Sequence, residues 1–523
     1  MAQVPAGDES AGEVCLAELV AALSLGVDLG FGQPMEHVLR QCVISLRLAD
    51  RCGLDDEQRT VVYYAALLVN VGCHSDAHEQ ARWFGDDIEL RSTKYDYDLR
   101  SLRGAAASLR LIGRGNPPLH RMRVGLEFAM HGHREVDQMV QQHSALAREF
   151  ARQLGLDAPV QEAVAAAYER WDGRGWPALL AGDAIPVAAR ITQFAEYIEV
   201  AHRVGGVGAA VALARKRSGR QFDPALAGLL CSHPHEVLGG IDATTTWHAV
   251  VNAEPALRIR LRGEAIDQAL TAIADFVDLK SPYTLGHSRA VADLAGGAAT
   301  ALGLGRSEIR TLRRAGLVHD FGRLGVSNSI WDKRGPLGAG EWERVRMHPY
   351  LTERILCQSA ALAPLGEIAV QHHERLDGSG YPRGLSGNAI SPLARILAAA
   401  DSYETMCEPR PHREALGSAE AAAMLRREAD SGRFDTAAVD ATLETAGHRP
   451  ARRRSGPAGL TSREIEVLRL LARGLSSKEI AAKLVLAPKT VRNHTEHIYA
   501  KTGAGNRAAA SLFAVHHGLL AVE

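Results

Sequence analysis

Between Ala265 and Val277, apolar side chains recur at the spacing of one helix face, which predicts an amphipathic helix. Ser281-Pro282-Tyr283-Thr284 breaks it. Gly286-His287-Ser288 opens the next helix, expected over 289–302, which puts His287 near a helix start. A further helix is expected over 312–321, with His319 and Asp320 near its end and Gly322 and Gly325 as terminators. The run 342–357 is interrupted at His348-Pro349. Proline disfavours helix in the residue before it, so His348 is expected at a helix start or kink. The stretch 368–374 is apolar up to His372-His373 apart from Gln371, and 393–406 predicts a helix carrying Asp401. Near the end of the chain, Thr461 with Glu464 and Ser476 with Glu479 form two capping boxes, each ahead of an apolar helix. Pro488 suits the first turn of a third helix, and a fourth is expected over 507–516. No apolar run reaches the roughly 18 residues that a membrane-spanning helix needs.

The pattern repeats. Tyr168-Glu169-Arg170-Trp171-Asp172-Gly173-Arg174-Gly175-Trp176-Pro177 parallels His373-Glu374-Arg375-Leu376-Asp377-Gly378-Ser379-Gly380-Tyr381-Pro382. Ala189-Arg190-Ile191 parallels Ala394-Arg395-Ile396, and the run Ala65 to Gly72 parallels Ala315 to Gly322. Self-similarity on this scale indicates two copies of one helical domain. The copies differ at polar positions: His319-Asp320 corresponds to Val69-Asn70, His372-His373 to Ala167-Tyr168, and Asp401 to Glu196. His37 matches His287, but one histidine is not a site. The repeat is hard to follow between Asp76 and Val136, where the basic run from Arg110 to Arg123 reads as a solvated loop. Gly205-Gly206-Val207-Gly208 lacks the strand and helix of a nucleotide loop and reads as a turn.

Composition adds compartment and partner. The 523 residues suffice for three domains, and 46% of them are hydrophobic but only 5% aromatic, which favours Ala/Leu-rich helices. Net charge is −1 but uneven: residues 451–523 hold twelve Lys/Arg against five Asp/Glu, leaving −8 on the first 450. A basic end of this kind points to nucleic acid. Seven scattered cysteines without a CxxC pair, and no basic-then-apolar leader in Met1 to Glu13, predict reduced thiols and a cytoplasmic protein.

The candidate chemistry lies from His287 to Asp401. His287, His319, Asp320, His348, His372, His373 and Asp401 offer seven imidazole or carboxylate groups and no thiolate, a set that suits Fe, Mn, Ni or Zn rather than Ca. Seven exceed the needs of one tetrahedral ion, so a shared carboxylate, Asp320, is expected to bridge two. Arg323 is placed to clamp a phosphate. The ordered motifs, with His319-Asp320 and Gly380-Tyr381-Pro382 among them, resemble the HD-GYP branch of the HD phosphohydrolases over 263–447. The resemblance implies ligands on helices lining one cleft, with Fe or Mn favoured and Ni or Zn as alternatives. It also implies cyclic di-GMP or a related phosphoester as substrate, opened by metal-bound hydroxide with Asp320 and Arg323 as catalytic groups. Asp377, Gly380, Tyr381 and Pro382 would shape the pocket, and Arg410 matches a family arginine near the nucleotide. The family usually has lysine where Arg323 stands, which changes geometry but not charge. Tyr283 stands where some members carry a glutamate for a third ion, so two metals are expected, not three.

The tail 458–523, after a basic linker at 448–457, resembles the LuxR-type helix-turn-helix. The carrying residues are Leu460-Thr461, Gly474-Leu475-Ser476, Lys478-Glu479-Ile480-Ala481 and Pro488-Lys489-Thr490-Val491-Arg492. The resemblance makes the third helix the recognition helix, entering the major groove of DNA, with a homodimer on a near-palindromic site. Val491, Ile498 and Tyr499 should face the core. Arg492, Asn493 and His494 would then face bases, and Lys489, Thr490, Lys478 and Lys501 phosphates.

The expected architecture is therefore all-α: two tandem HD-type helical domains, the first (1–250) degenerate and without a metal set, then a four-helix DNA-binding domain. The first copy is a packing partner or a ligand-sensing pseudo-domain. Three readings follow: a transcription regulator governed by a nucleotide second messenger, a phosphodiesterase localised by its DNA-binding tail, or a non-catalytic nucleotide sensor.

Overall fold

The structure, a computed structural model, describes residues 13–96, 110–113, 117–128, 130, 133–243, 246–255, 259–447, 457–484 and 486–520. The linker expected at 448–457 lies outside these except for Pro457, as does the amino-terminal stretch up to Gly12.

Helices dominate, and they come in matched sets. His37–Arg51, Asp56–Leu68 and the 3-10 turn Val71–Asp76 are followed later by His133–Gln153 and Val187–Arg217. The second set is His287–Ala301, Arg306–Val318, the 3-10 turn Phe321–Gly325, Ala339–Leu356 and Pro392–Cys407. Local geometry repeats with the sequence. The residue before each leading helix is left-handed, Glu36 at φ 81° and Gly286 at φ 79°. A buried aspartate on the preceding helix then takes the first free amides: Asp28 accepts from Val38 N at 3.2 Å, and Asp278 from Ser288 N at 2.9 Å. Both copies press a glycine onto a helix backbone. A Cβ at Gly72 would lie 2.3 Å from His143 O, and one at Gly322 would lie 2.0 Å from His348 O. That contact identifies His143 as the counterpart of His348, a pairing the sequence repeat left out.

The two copies share a core. Leu16–Gly30 is buried along almost its whole length and lays Gly26 against Leu324 of the second copy. Phe276 of the second copy packs on Phe150, ring centroids 4.6 Å apart, and its carbonyl meets His74 Nε2 at 2.6 Å. Burying a ring of this size contributes about 1.5–3 kcal/mol. Asp87, fully buried, accepts from Ser327 Oγ (2.7 Å) and Asn328 N (2.8 Å) across the seam. Two short antiparallel strands, Glu13–Cys15 and Arg260–Arg262, tie the start of one copy to the start of the other.

Two local expectations change. Ala339–Leu356 is one helix through Pro349, so His348 lies inside a helix and not at its start. Proline lacks the N–H that Val345 O would receive, and His348 Nδ1 takes that carbonyl at 2.5 Å. The helix expected over 312–321 starts at Arg306 and ends at Val318, so His319 caps it.

The tail forms its own four-helix unit around Val467, Leu468, Ile480, Val491 and Ile498, with Tyr499 packed beside them. Both expected capping boxes form, through Thr461 with Glu464 and Ser476 with Glu479. Its last helix, Arg507–His516, docks on the second copy: Leu512 joins the shared core and His516 Nε2 meets Asp275 Oδ2 at 2.6 Å. No helix among the described residues is long and apolar enough to cross a membrane.

Candidate metal centre

Five elements bring the seven sequence-predicted groups together. His287 starts one helix, His319 and Asp320 stand at the turn ending another, and His348 lies inside a third. His372 and His373 follow the helix Ala363–Ala369, and Asp401 sits on Pro392–Cys407. All are buried except His373, which is partly exposed.

One local device orients three of the rings. His319, His348 and His372 each direct Nδ1 to the carbonyl three residues back: Gly316 O at 2.7 Å, Val345 O at 2.5 Å and Ala369 O at 2.6 Å. A carbonyl accepts only, so each Nδ1 carries the proton and each Nε2 turns a lone pair inward. His287 differs: its Nδ1 lies 3.0 Å from Glu408 Oε2 and its Nε2 3.4 Å from Asp401 Oδ1, so carboxylates face both ring nitrogens. His348 Nε2 and His372 Nε2 then face each other at 3.4 Å. Two lone pairs at that distance repel unless a proton or cation lies between them. His319 Nε2 has full burial and no hydrogen-bond partner among the described residues. An orphaned buried acceptor of this kind calls for a ligand.

Asp320 divides the cluster. Its Oδ2 lies 3.8 Å from His287 Nε2 and 3.6 Å from His319 Nε2, while its Oδ1 lies 3.4 Å from His348 Nε2 and 3.8 Å from His372 Nε2. Asp401 adds Oδ1 to the first group, 3.4 Å from His287 Nε2, and turns Oδ2 toward His373 Nδ1 at 3.7 Å. Donor atoms of His287, His319 and Asp401 lie within 4.8 Å of one another, as do those of His348, His372 and His373. Those of His319, Asp320 and His372 do so too, and the donor set therefore fits metal binding.

Electrostatics keep the donors other than His287 in their ligating forms. Burial alone would raise the Asp320 and Asp401 pKa values. The Arg323 guanidinium and surrounding imidazoles hold Asp320 well below the carboxylate range, and His287, His373 and the other rings do the same for Asp401. Burial, and next the neighbouring His319 imidazole, pushes His372 down to about 3, and burial lowers His319 and His373 as well. His287 goes the other way: burial opposes its charge, but Glu408 and Asp401 raise its pKa.

The other candidate residues fall around this centre. Arg323 gives Nη1 to Asp320 Oδ2 at 2.9 Å and stacks on Trp331, 4.1 Å from the ring centroid, so its charge is committed to the carboxylate. Arg410 donates to Tyr283 O and to Glu408 Oε2, both at 2.8 Å, and so holds the carboxylate that faces His287. Tyr381 lies over His373, centroids 4.7 Å apart, with Pro382 next to it. Gly380 is packed so closely that a Cβ would sit 2.4 Å from Arg375 N. Asp377, on the rim, accepts from Ser379 N at 2.9 Å and shapes that turn.

Sequence reasoning missed Glu408 and the three carbonyl anchors. Glu408 follows Asp401 by two helical turns, so helix periodicity gave a usable signal. The anchors had none, because backbone carbonyls leave no mark in a sequence.

On the tail, Lys478, Lys489, Arg492 and Asn493 are exposed, and Thr490 and His494 are partly so. Lys501 differs. Its Nζ meets Glu464 Oε2 at 2.8 Å, inside the domain's own capping box.

Comparison with known proteins gives the family. The family model described as "HD domain" matches residues 131–226 and 271–438, taking in parts of both copies. The model "Bacterial regulatory proteins, luxR family" matches 458–514. The 3'3'-cGAMP-specific phosphodiesterase 3 of Vibrio cholerae is 32% identical over 415 residues, 78% of this chain and 90% of the relative. The cyclic di-GMP phosphodiesterase response regulator RpfG of Xanthomonas campestris is 35% identical over 179 residues, 34% of this chain and 47% of the relative. The crystal structure of a cyclic GMP-AMP-specific phosphodiesterase of V. cholerae covers 84% of this chain and 99% of its own, with 27% identity and a TM-score of 0.58. The chain thus belongs to the HD domain family, whose fold it carries twice, joined to a C-terminal domain of the luxR family of bacterial regulatory proteins.

Proposed function

We propose that the chain is a DNA-binding transcription regulator whose second copy hydrolyses the phosphodiester of a cyclic dinucleotide. Cyclic di-GMP and 3'3'-cGAMP are the two substrates that the relatives' names suggest. The observation that carries this reading is Asp320, with each carboxylate oxygen turned to a different pair of histidines. His287, His319 and Asp401 would hold one divalent ion, and His348, His372 and His373 the other, with Asp320 shared. Fe or Mn suits this nitrogen and oxygen set best, with Ni or Zn as alternatives. When bound, such a pair supplies a water of lowered pKa and a positive clamp for phosphate.

The protein's own part is to orient and to exclude. The three carbonyl anchors fix the imidazole tautomers. Arg323 keeps Asp320 ionised and aimed, and Tyr381 walls the His373 side. Asp377, Gly380 and Pro382 set the turn that holds Tyr381. Lys478, Lys489 and Thr490 contact DNA phosphates and Arg492, Asn493 and His494 contact bases, in a homodimer. Lys501 serves the fold of its own domain.

A contact route supports coupling between the two functions. His287 faces Glu408, Arg410 bridges Glu408 to Tyr283 O, and Tyr283 belongs to the loop 281–286. Gly474 of the tail abuts Pro282 of that loop, and Val515 abuts Gly286. Ligand at the centre changes DNA binding only if it binds the docked and undocked states unequally.

The test is the purified chain with Mn, or with Fe under anaerobic conditions, offered both cyclic dinucleotides. Release of linear dinucleotide that disappears in His319→Ala supports the reading. No product from either substrate, with the metal bound, leaves a nucleotide sensor instead. Salt-dependent DNA binding that shifts with nucleotide separates a regulator from an enzyme merely localised on DNA.

A further inference from the structure

The HD match extends into the first copy, and its donor positions can be compared one by one with those of the second. Asn70 stands where Asp320 stands, Glu196 where Asp401 stands, His37 where His287 stands, and His143 where His348 stands. Part of a metal set therefore survives. Every member of it is already engaged. His37 Nδ1 is bonded to Glu199, and its Nε2 lies 3.3 Å from Tyr95 OH. His143 Nε2 lies 2.6 Å from Asp76 Oδ2. Ala167 and Tyr168 replace the histidine pair, and Tyr168 OH meets Cys73 Sγ at 2.6 Å.

The space beside Asn70 and Glu196 receives a side chain with no equivalent in the second copy. Lys94, in the short turn Thr93–Tyr95, places Nζ 3.0 Å from Asn70 Oδ1 and 2.6 Å from Glu196 Oε1. Asn70 Nδ2 and Tyr95 OH reach the same Glu196 oxygen, at 2.6 Å and 2.9 Å. The turn belongs to a segment present only in the first copy, which is longer between Gly72 and His143 than the second is between Gly322 and His348.

We propose that the Lys94 ammonium occupies the metal position of the first copy, so that this HD domain is closed by a cation of its own and takes up no divalent ion. The chemistry is consistent with this. A buried carboxylate without a counter-charge is costly, and a lysine gives one positive charge and three donors without a metal. Asn70 in place of an aspartate removes one negative charge, so one ammonium and one carboxylate balance where two carboxylates and a divalent ion would. Burial works against both charged groups. Their mutual attraction overcomes it, raising the Lys94 pKa and lowering that of Glu196.

The test uses the full chain and metal counting, which is independent of turnover. Co(II) is titrated into metal-stripped wild type, Lys94→Ala and the pair Asn70→Asp with Lys94→Ala, and bound ions are counted by elemental analysis after dialysis. Wild type should fill only the second-copy centre, and His319→Ala should remove at least one of its ions. Lys94→Ala should lower Tm by on the order of 5 °C or more, because it leaves Glu196 buried without its partner. The double variant should bind one further Co(II) per chain, and that ion should recover part of the lost Tm. Wild type binding a further ion that Glu196→Gln removes would overturn the proposal. So would a Lys94→Ala protein that melts with wild type together with a double variant that gains no ion. A chain that hydrolyses no cyclic dinucleotide leaves all these counts unchanged, so the two proposals fail separately.

Discussion

The two HD copies share a backbone plan and differ in what their buried polar atoms face. In the second, three imidazoles give Nδ1 to carbonyls and leave Nε2 lone pairs converging on Asp320. In the first, the retained groups are satisfied by one another: His37 by Glu199, His143 by Asp76, and Glu196 by Lys94 and Asn70. A set of donors all turned inward needs a partner from outside, whereas a set already paired does not. The lesson is that a metal site is lost by filling as much as by deleting. Two of the first copy's histidines and its acidic residue remain, and the fold keeps them because they now hold the domain together.

The largest break in this comparison is at the shared carboxylate. Asp320→Asn should remove metal and cut hydrolysis by more than the ~10–100-fold typical of losing an outer partner. Asn70→Ala, at the matching place, should leave turnover unchanged, as read by product release at saturating metal. Next is Glu408→Gln, which weakens the hold on His287 and should lower metal affinity by about 10–100-fold. Equal metal affinity in that variant would show that Glu408 does not orient the ring. The glycines come third. Gly322→Ala and Gly72→Ala each drive a Cβ against a backbone carbonyl and should destabilise by ~1–3 kcal/mol in thermal unfolding, but only Gly322→Ala displaces His348 and slows turnover.

The smallest effect is on pH dependence. Glu196 has its pKa depressed in the folded chain, so its pairing adds stability above the unfolded value of about 4.3 and loses it as pH falls through the lower folded value. Lys94 has its pKa raised, so its side of the pair persists up to about pH 10.4 and is lost only beyond. Melting temperatures across the acid range should therefore fall more for wild type than for Glu196→Gln below about pH 4.3. Parallel curves would show that the pair adds nothing.

Much of this was legible in the sequence. Helical periodicity gave the second copy's helices, periodicity with explicit caps at Thr461 and Ser476 gave the tail, and the internal repeat extended the helical reading to the first copy. The seven donors of the second copy were readable because His-Asp and His-His pairs inside apolar runs are hard to explain as plain core. Two things were not readable. His348 reads as a helix break because sequence shows that Pro349 withdraws a donor but not that His348 Nδ1 replaces it. Lys94 sits in a segment absent from the other copy, where the repeat has nothing to align, and one lysine among many carries no signal of burial. The role of Arg323 also shifts once the structure is known: a side chain placed for phosphate is bound to Asp320 and stacked on Trp331.

Metal counting on two matched histidine variants tests the central contrast most directly. Full-length wild type, His348→Ala and His143→Ala would be prepared anaerobically with Fe or Mn and analysed for ions per chain. The account predicts two ions in wild type, loss of at least one in His348→Ala, and an undiminished two in His143→Ala. Metal lost from His143→Ala, or kept in full by His348→Ala, would contradict it.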